Sequence, residues 1–498
     1  MNVNPITRLD YPDLDVIRVE DTYYMVSTTM HFMPGCEILQ SFDLVHWEHV
    51  TYVYETLDHT DAQQLKSGQN IYGQGMWAAS LRYHEGRFYI CFVANDTRKT
   101  YLYTSEKIDG PWKKQLIEGF YHDGSLLFDE DGRNYIVYGN DEIWITELNE
   151  DLTAPKKDGL HRILVSDHKN PELGYEGSHI QKINGYYYIF LVHSLRDRWM
   201  RTEACFYSDS LEGEFTGGDV LCDDRGYCGQ GVAQGGIVDT PDGKWYAMLF
   251  QDSGAVGRIP ILLPVTWKDH FPFFGQNGHV PEEIEVHSTR PGYIYQPLVG
   301  SDDFCNGLLP RWQFNHDPDP RYYHLDALQG TYTITTREVC TELTQAVNTL
   351  TQRMSYPSCA AKVTVDASAL KEGDVAGLCA LQSCYAAVGI TKHHGKYEVL
   401  MLDKKEDGIL DMTEGTVVES HQMDFRLEAD FCNMKDEARC YYRVNKGDWL
   451  PIGNVHKLYF KLDHFTGCRF GLFCYAAEET GGSACFRDFK YYDVDEIS

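Results

Sequence analysis

Residues 174–190 read Gly-Tyr-Glu-Gly-Ser-His-Ile-Gln-Lys-Ile-Asn-Gly-Tyr-Tyr-Tyr-Ile-Phe. The second half is a β-hairpin signal. Asn184-Gly185 can adopt the positive φ angles of a two-residue turn, and it stands between an alternating apolar run and an aromatic run. The first half places one carboxylate, Glu176, just ahead of the inner strand among small residues.

The pattern recurs four more times. Asp15–Val19 is followed by Glu20-Asp21 and Tyr23-Tyr24-Met25, and Ser80–Tyr83 by Glu85-Gly86 and Phe88-Tyr89-Ile90. Ser125–Phe128 leads to Asp131-Gly132 and Asn134-Tyr135-Ile136, and Gly236–Val238 to Asp242-Gly243 and Trp245-Tyr246-Ala247. Anchored on the tyrosine, the copies stand at 24, 89, 135, 188 and 246, with intervals of 65, 46, 53 and 58 residues. That is the length of a four-stranded propeller blade with variable loops. Residues 1–300 are therefore expected to form a five-bladed β-propeller. An ordinary β-sandwich with similar hairpins competes, but five matched turns favour the propeller.

Twelve residues before each tyrosine stand Pro12 (with Asp13 next), Trp77, Asp123, Glu176 and Gln234. The first strand of each blade lines the central channel, so these positions converge on one mouth. A purely structural repeat would more often place small or apolar residues there.

From Ser301 the style changes. Short strands separated by turn signals are expected at Gly330–Thr336, Ser358–Val365, Ala376–Gln382, Ala386–Thr391, Phe425–Phe431, Ala438–Val444, Arg469–Cys474 and Ala484–Tyr492. This is the pattern of a β-sandwich over residues 301–498. It carries no chemical constellation. Its expected role is packing or shaping, with sugar binding or completion of an active site as the alternative.

Composition narrows the partners. A formal net charge of −30 repels phosphate backbones and anionic lipids, which argues against nucleic acid and membrane surfaces. With 34 Tyr, 23 Phe and 9 Trp the chain is rich in faces on which sugar rings stack. The 15 Cys lack CxxC or zinc-finger spacing and read as reduced, mostly buried thiols. The chain opens without a basic segment followed by an apolar run, so a cytoplasmic location is expected.

Glycosidic cleavage needs two carboxyl groups across the bond, one giving a proton to the leaving oxygen and the other activating water or attacking directly. Asp13, Asp123 and Glu176, phased on separate blades, suit that task. Acidic residues around a channel could also hold Ca2+, but no DxDxDG loop singles it out.

The residues Asn4-Pro-Ile, Tyr11-Pro12-Asp13, Gly75-Met76-Trp77-Ala78, His122-Asp123-Gly124-Ser125 and Tyr175-Glu176-Gly177 resemble the signature blocks of glycoside hydrolase family 43. The later stretches Asp302-Asp303-Phe304, Trp312–His316 and Leu350-Thr351-Gln352-Arg353 resemble the β-sandwich that follows the propeller in many members. The resemblance implies an inverting, exo-acting hydrolase that releases α-L-arabinofuranosyl or β-D-xylosyl units from arabinoxylan-derived or xylo-oligosaccharides, with arabinofuranoside expected first. It implies Asp13 as general base, Glu176 as general acid and Asp123 as the carboxylate that orients the acid and tunes its pKa. It makes Arg258 a sugar contact, and the base and acid carboxyls would stand roughly 6.5–9.5 Å apart. Phe32 and Trp77 are expected to form the sugar platform.

Two departures stand out. Many members carry a His where Gln234 stands, and that His helps to hold a central ion or water. Gln can still bind water or offer a carbonyl to Ca2+, so Ca2+ in the channel stays open, with no cofactor required. The first block reads Pro12-Asp13-Leu14-Asp15, which makes Asp15 a rival base, but Asp15 falls inside the strand and Asp13 is preferred. Two further readings compete. A retaining fructosidase of the related five-bladed class would carry Asn-Asp-Pro-Asn-Gly, Arg-Asp-Pro and Glu-Cys blocks, which are missing here. A catalytically silent sugar-binding propeller would not need all three carboxylates.

Overall fold

Each tyrosine-centred hairpin is the inner half of a four-stranded antiparallel sheet in the computed structural model, which describes residues 2–493. Blade 1 holds Asp15–Val19, Thr22–Val26, Gly35–Ser41 and Glu48–Tyr54. Blade 2 runs Met76–His84, Arg87–Ala94, Lys99–Ser105 and Lys113–Ile117, and blade 3 Ser125–Phe128, Asn134–Asn140, Glu142–Leu148 and His161–Ser166. Blade 4 runs Glu176–Ile183, Tyr186–Ser194, Arg201–Ser208 and Thr216–Leu221, and blade 5 Ala233–Asp239, Trp245–Asp252, Arg258–Lys268 and Phe271–Phe274.

Every blade is built from consecutive strands, so the ring must close by other contacts. Asn2–Val3 pairs with Glu283–Ile284, and the Asn4 side chain donates to the carbonyls of Leu262 and Pro281 at 2.9 Å. Arg18 of blade 1 meets Asp239 of blade 5 at 2.5 Å. Aromatic side chains fill the spaces between blades: Tyr23 and Met25 pack with Tyr246, Met248 and Phe250 across the closing seam. Burying one such side chain contributes roughly 1.5–3 kcal/mol, which is why the second strand of each blade repeats an aromatic.

The second domain is a sandwich of two large sheets, with Leu378, Val388, Phe470 and Leu472 facing Val363, Phe425 and Leu427 across the core. All eight expected strands are present, joined by Gln313–Asn315, Tyr323–Asp326, Leu350–Arg353, Lys396–Lys404 and Leu450–Lys457. One sheet continues into the propeller, because Phe32–Met33 pairs with Gln313–Asn315. The cysteines are free thiols, most of them buried.

The two domains are locked by charge as well as by backbone. Arg353 of the sandwich reaches Glu37 of blade 1 at 2.9 Å and lies 4.1 Å from the Tyr11 ring centroid. Burial alone would raise the Glu37 carboxyl, but Arg353 and His49 hold it down at about 2. Breaking such a buried pair by removing one partner costs about 3–5 kcal/mol. Beside it, His31, Tyr72, His316 and His464 pack ring against ring, Tyr72 stacked on His464 with centroids 3.8 Å apart.

Candidate active site

Asp13 and Asp123 each precede the inner strand of their blade by two residues and share a left-handed backbone, with φ of 50° and 49°. Asp tolerates that region better than most residues. Glu176 opens the inner strand of blade 4. The first and second strands slip register at matching places in three blades, between Trp77 and Ser80, Glu176 and His179, and Ala233 and Gly236. Such bulges re-aim side chains, here at the channel mouth. Gly177, with φ of 65°, is required: a Cβ there would lie 2.6 Å from Gln234 Cγ.

Three donors converge on Asp13. Thr28 Oγ1 donates to Oδ2 at 2.7 Å, Gln234 Nε2 to Oδ1 at 3.1 Å, and Arg258 Nη1 to Oδ1 at 3.1 Å. Arg201 supports this set by donating to Gln234 Oε1 at 3.4 Å, and the buried Glu203 accepts the Gln234 backbone N–H at 2.7 Å.

Glu176 and Asp123 form a second group. Asn140 Nδ2 donates to Glu176 Oε2 at 2.6 Å, and the Gly177 N–H donates to Asp123 Oδ2 at 2.9 Å. His122 Nε2 lies 3.6 Å from Asp123 and 3.7 Å from Glu176. Asp123 raises the His122 imidazole to about 9 against the opposing effect of burial. Burial lifts the Asp123 carboxyl to about 6, opposed by His122 and assisted by the negative charges of Glu176 and Asp13.

The donor atoms of His122, Asp123 and Glu176 lie within 4.8 Å of one another, close enough to suggest a metal. The same closeness lets the imidazole pair with both carboxylates. Beneath the carboxylates a cavity of about 10 Å3 is bordered by Asp13, Asp15, Ser178 and His179. Asp15 Oδ1 and Ser178 Oγ have no hydrogen-bond partner among the described residues. That space suits one water. Asp123 and Gln234 border it as well, so oxygen donors of the kind Ca2+ takes surround this space.

Beside Glu176 opens a cavity of about 560 Å3, lined from the propeller also by Trp199, Gln234 and Arg258. Its opposite wall comes from the sandwich, through Asp436, Lys457, Phe460 and Phe465. The sandwich is thus more than a packing module. Asp10 ties the halves together, accepting the backbone N–H of Arg258 at 2.7 Å and that of Gly467 at 2.8 Å.

Trp77 stands at the mouth, half-buried, its ring 5.5 Å from Phe465 and 6.1 Å from His122. Phe32 does not. It is 2% exposed, belongs to the strand that joins the sandwich sheet, and lies under Arg469, 3.4 Å from the ring centroid. The strand pairing turns it away from the mouth, so its expected place in a sugar platform is corrected. Asp15 is 1% exposed and engaged by Arg82 at 2.7 Å, which leaves it no access to a sugar.

A five-bladed propeller that gathers Asp13, Asp123 and Glu176 into one interacting cluster, with Glu176 lining a cavity, has the layout of a glycoside hydrolase. Residues 3–272 match the model for glycosyl hydrolases family 43, and residues 301–492 match that of the beta xylosidase C-terminal Concanavalin A-like domain. The chain belongs to glycoside hydrolase family 43. It is similar to a bifunctional GH43-CE protein of Bacteroides eggerthii, with 42% identity and a TM-score of 0.93, over 100% of this chain and 64% of that one. A beta-xylosidase of Formosa agariphila is 26% identical over 99% of this chain and 89% of its own length. A non-reducing end alpha-L-arabinofuranosidase of Bacteroides ovatus is 24% identical over 82% of this chain and 79% of its own length.

Proposed function

We infer that the chain is an exo-acting hydrolase that removes α-L-arabinofuranosyl, and also β-D-xylosyl, residues from arabinoxylan-derived oligosaccharides with inversion. Glu176 gives its proton to the leaving oxygen while Asp13 takes one from the attacking water. Asp123 positions the acid through Gly177 and His122 and does not itself exchange a proton with substrate. Arg258, Gln234 and Trp77 contact the sugar held above Asp13. The observation that carries this reading is the convergence of carboxylates from blades 1, 3 and 4 into one interacting cluster, beside a cavity that Glu176 lines and Phe465 helps to close. The similarity to relatives named for both activities supports the pair of substrates.

The test is hydrolysis of nitrophenyl α-L-arabinofuranoside and nitrophenyl β-D-xyloside by the wild type, Asp13→Ala and Glu176→Ala. Turnover of either glycoside by the wild type, with a loss of about 10²-fold or more in Asp13→Ala on both, is expected. Undiminished turnover in Asp13→Ala would remove it as base. The ratio of kcat/KM on the two glycosides decides the preferred pentose.

A further inference from the structure

The active-site cavity does not end at the sandwich wall. Lys457 and Tyr459 also border a second hollow of about 650 Å3 that lies wholly on the sandwich. Its other polar walls include Asp403, Glu406, Asp407 and His456. The two spaces therefore share a rim, with Glu176 lining the first.

Two buried polar groups, one beside each space, have an atom without a hydrogen-bond partner among the described residues. His456 is 2% exposed; its Nδ1 meets Asp403 Oδ1 at 2.7 Å, while its Nε2 has no hydrogen-bond partner among the described residues. Asp436, 7% exposed, borders the cavity and has an Oδ1 in the same condition. An unmet buried donor or acceptor costs about 1–3 kcal/mol, which a ligand hydroxyl reaching either atom would recover.

The chemistry selects the ligand. The second hollow sets three carboxylates against Lys405 and Lys457, and Lys405 is already paired with Asp411, a balance that disfavours an anion. A cation would need converging donors, and among the described residues the one set of three such atoms within 4.8 Å is His122, Asp123 and Glu176. Carboxylates that accept, a lysine that donates and a tyrosine ring alongside match a neutral polyhydroxylated chain, whose hydroxyls both donate and accept. The cleaved sugar stands over Asp13, so whatever lies past Glu176 belongs to the leaving group.

We propose that the hollow bordered by Asp403, Asp407, His456 and Tyr459 binds the leaving-group side of a neutral oligosaccharide, two or more units beyond the scissile bond. This rests on the reading of the chain as a pentosidase. That reading is tested separately by turnover of nitrophenyl glycosides, which are too short to reach the hollow.

The experiment is calorimetric titration of Glu176→Ala with arabinosylated xylo-oligosaccharides of two and of six xylose units. The longer ligand should bind about fivefold or more tightly than the shorter. Adding Asp407→Ala and Tyr459→Ala should abolish the gain. Asp407 is an exposed loop residue, and a matching thermal melt verifies folding of the triple variant. Equal affinity for both lengths, or a gain that survives the two further substitutions, would overturn the proposal.

Discussion

The Arg258 guanidinium lies 4.2 Å from the centroid of the Phe465 ring, and its Nη2 donates to the Phe465 carbonyl at 3.2 Å. The same side chain donates to Asp13 at 3.1 Å. A sandwich residue thus holds the arginine that holds Asp13. Phe465→Ala should lower kcat/KM on a nitrophenyl glycoside by about 10- to 100-fold, since a stacked aromatic contributes about 0.5–1.5 kcal/mol beyond its buried area and also excludes water. A change of less than about twofold would separate the sandwich from the site.

Asp13 and Asp15 stand two residues apart but do different work. Asp15→Asn removes the carboxylate from the buried Arg82 pair and should destabilise the fold by about 3 kcal/mol. Denaturant melts read that loss, while turnover of the folded fraction should persist. Asp13→Asn should show the reverse pattern. If Asp15→Asn abolished turnover with stability intact, Asp15 would be the base.

The histidine cluster between the domains predicts acid sensitivity. Burial holds His31 and His316 well below the ordinary imidazole value, and His464 is pushed down to about 3. Arg469 faces His31, while Lys404 and Lys461 face His464 and add to the lowering there; Asp463 opposes them. A depressed folded value means the unfolded chain takes up the proton more readily. Stability is then complete above about pH 6.5 and is lost as pH falls, by up to about 1.4 kcal/mol per pH unit per group. His31→Phe removes one such group, and its melting temperature should fall less between pH 6.5 and 4.5 than that of the wild type. An identical fall would show that these rings do not govern the interface.

Glu203 predicts the opposite limb. Burial pushes its carboxyl well up, against the backbone N–H of Gln234 and the charge of Arg201. A raised folded value contributes stability that is full below the ordinary carboxyl range and is lost as pH rises through the folded value. Glu203→Gln keeps an acceptor for Gln234 and should flatten the decline in melting temperature as pH rises from about 5 to 7. A steeper decline would contradict this.

Local chemistry made the propeller and its carboxylates readable from sequence. Asn184-Gly185, Glu85-Gly86 and Asp242-Gly243 fall where the hairpins turn, and the spacing from tyrosine to mouth is set inside one hairpin. Phe32 was misplaced because its strand leaves the blade to pair with Gln313–Asn315, a partner almost three hundred residues away. Phe465 and Asp436 gave no sequence signal for the same reason: nothing near them in the chain encodes the docking of the sandwich on the channel. Asn140 was within reach, since a strand leaving a mouth position must return there. His122 sits in the same motif as Asp123, but its place between Asp123 and Glu176 depends on how blades 3 and 4 meet, which no local pattern encodes.

The division of labour between Glu176 and Asp13 is tested most directly by the leaving-group dependence of turnover. A proton donor matters most when the departing oxygen is a poor leaving group. Glu176→Ala should therefore hydrolyse a dinitrophenyl glycoside at a rate near that of the wild type, yet lose about 10³-fold or more on the corresponding oligosaccharide, while Asp13→Ala loses both. An equal loss on the two substrates in Glu176→Ala would contradict its assignment as the acid.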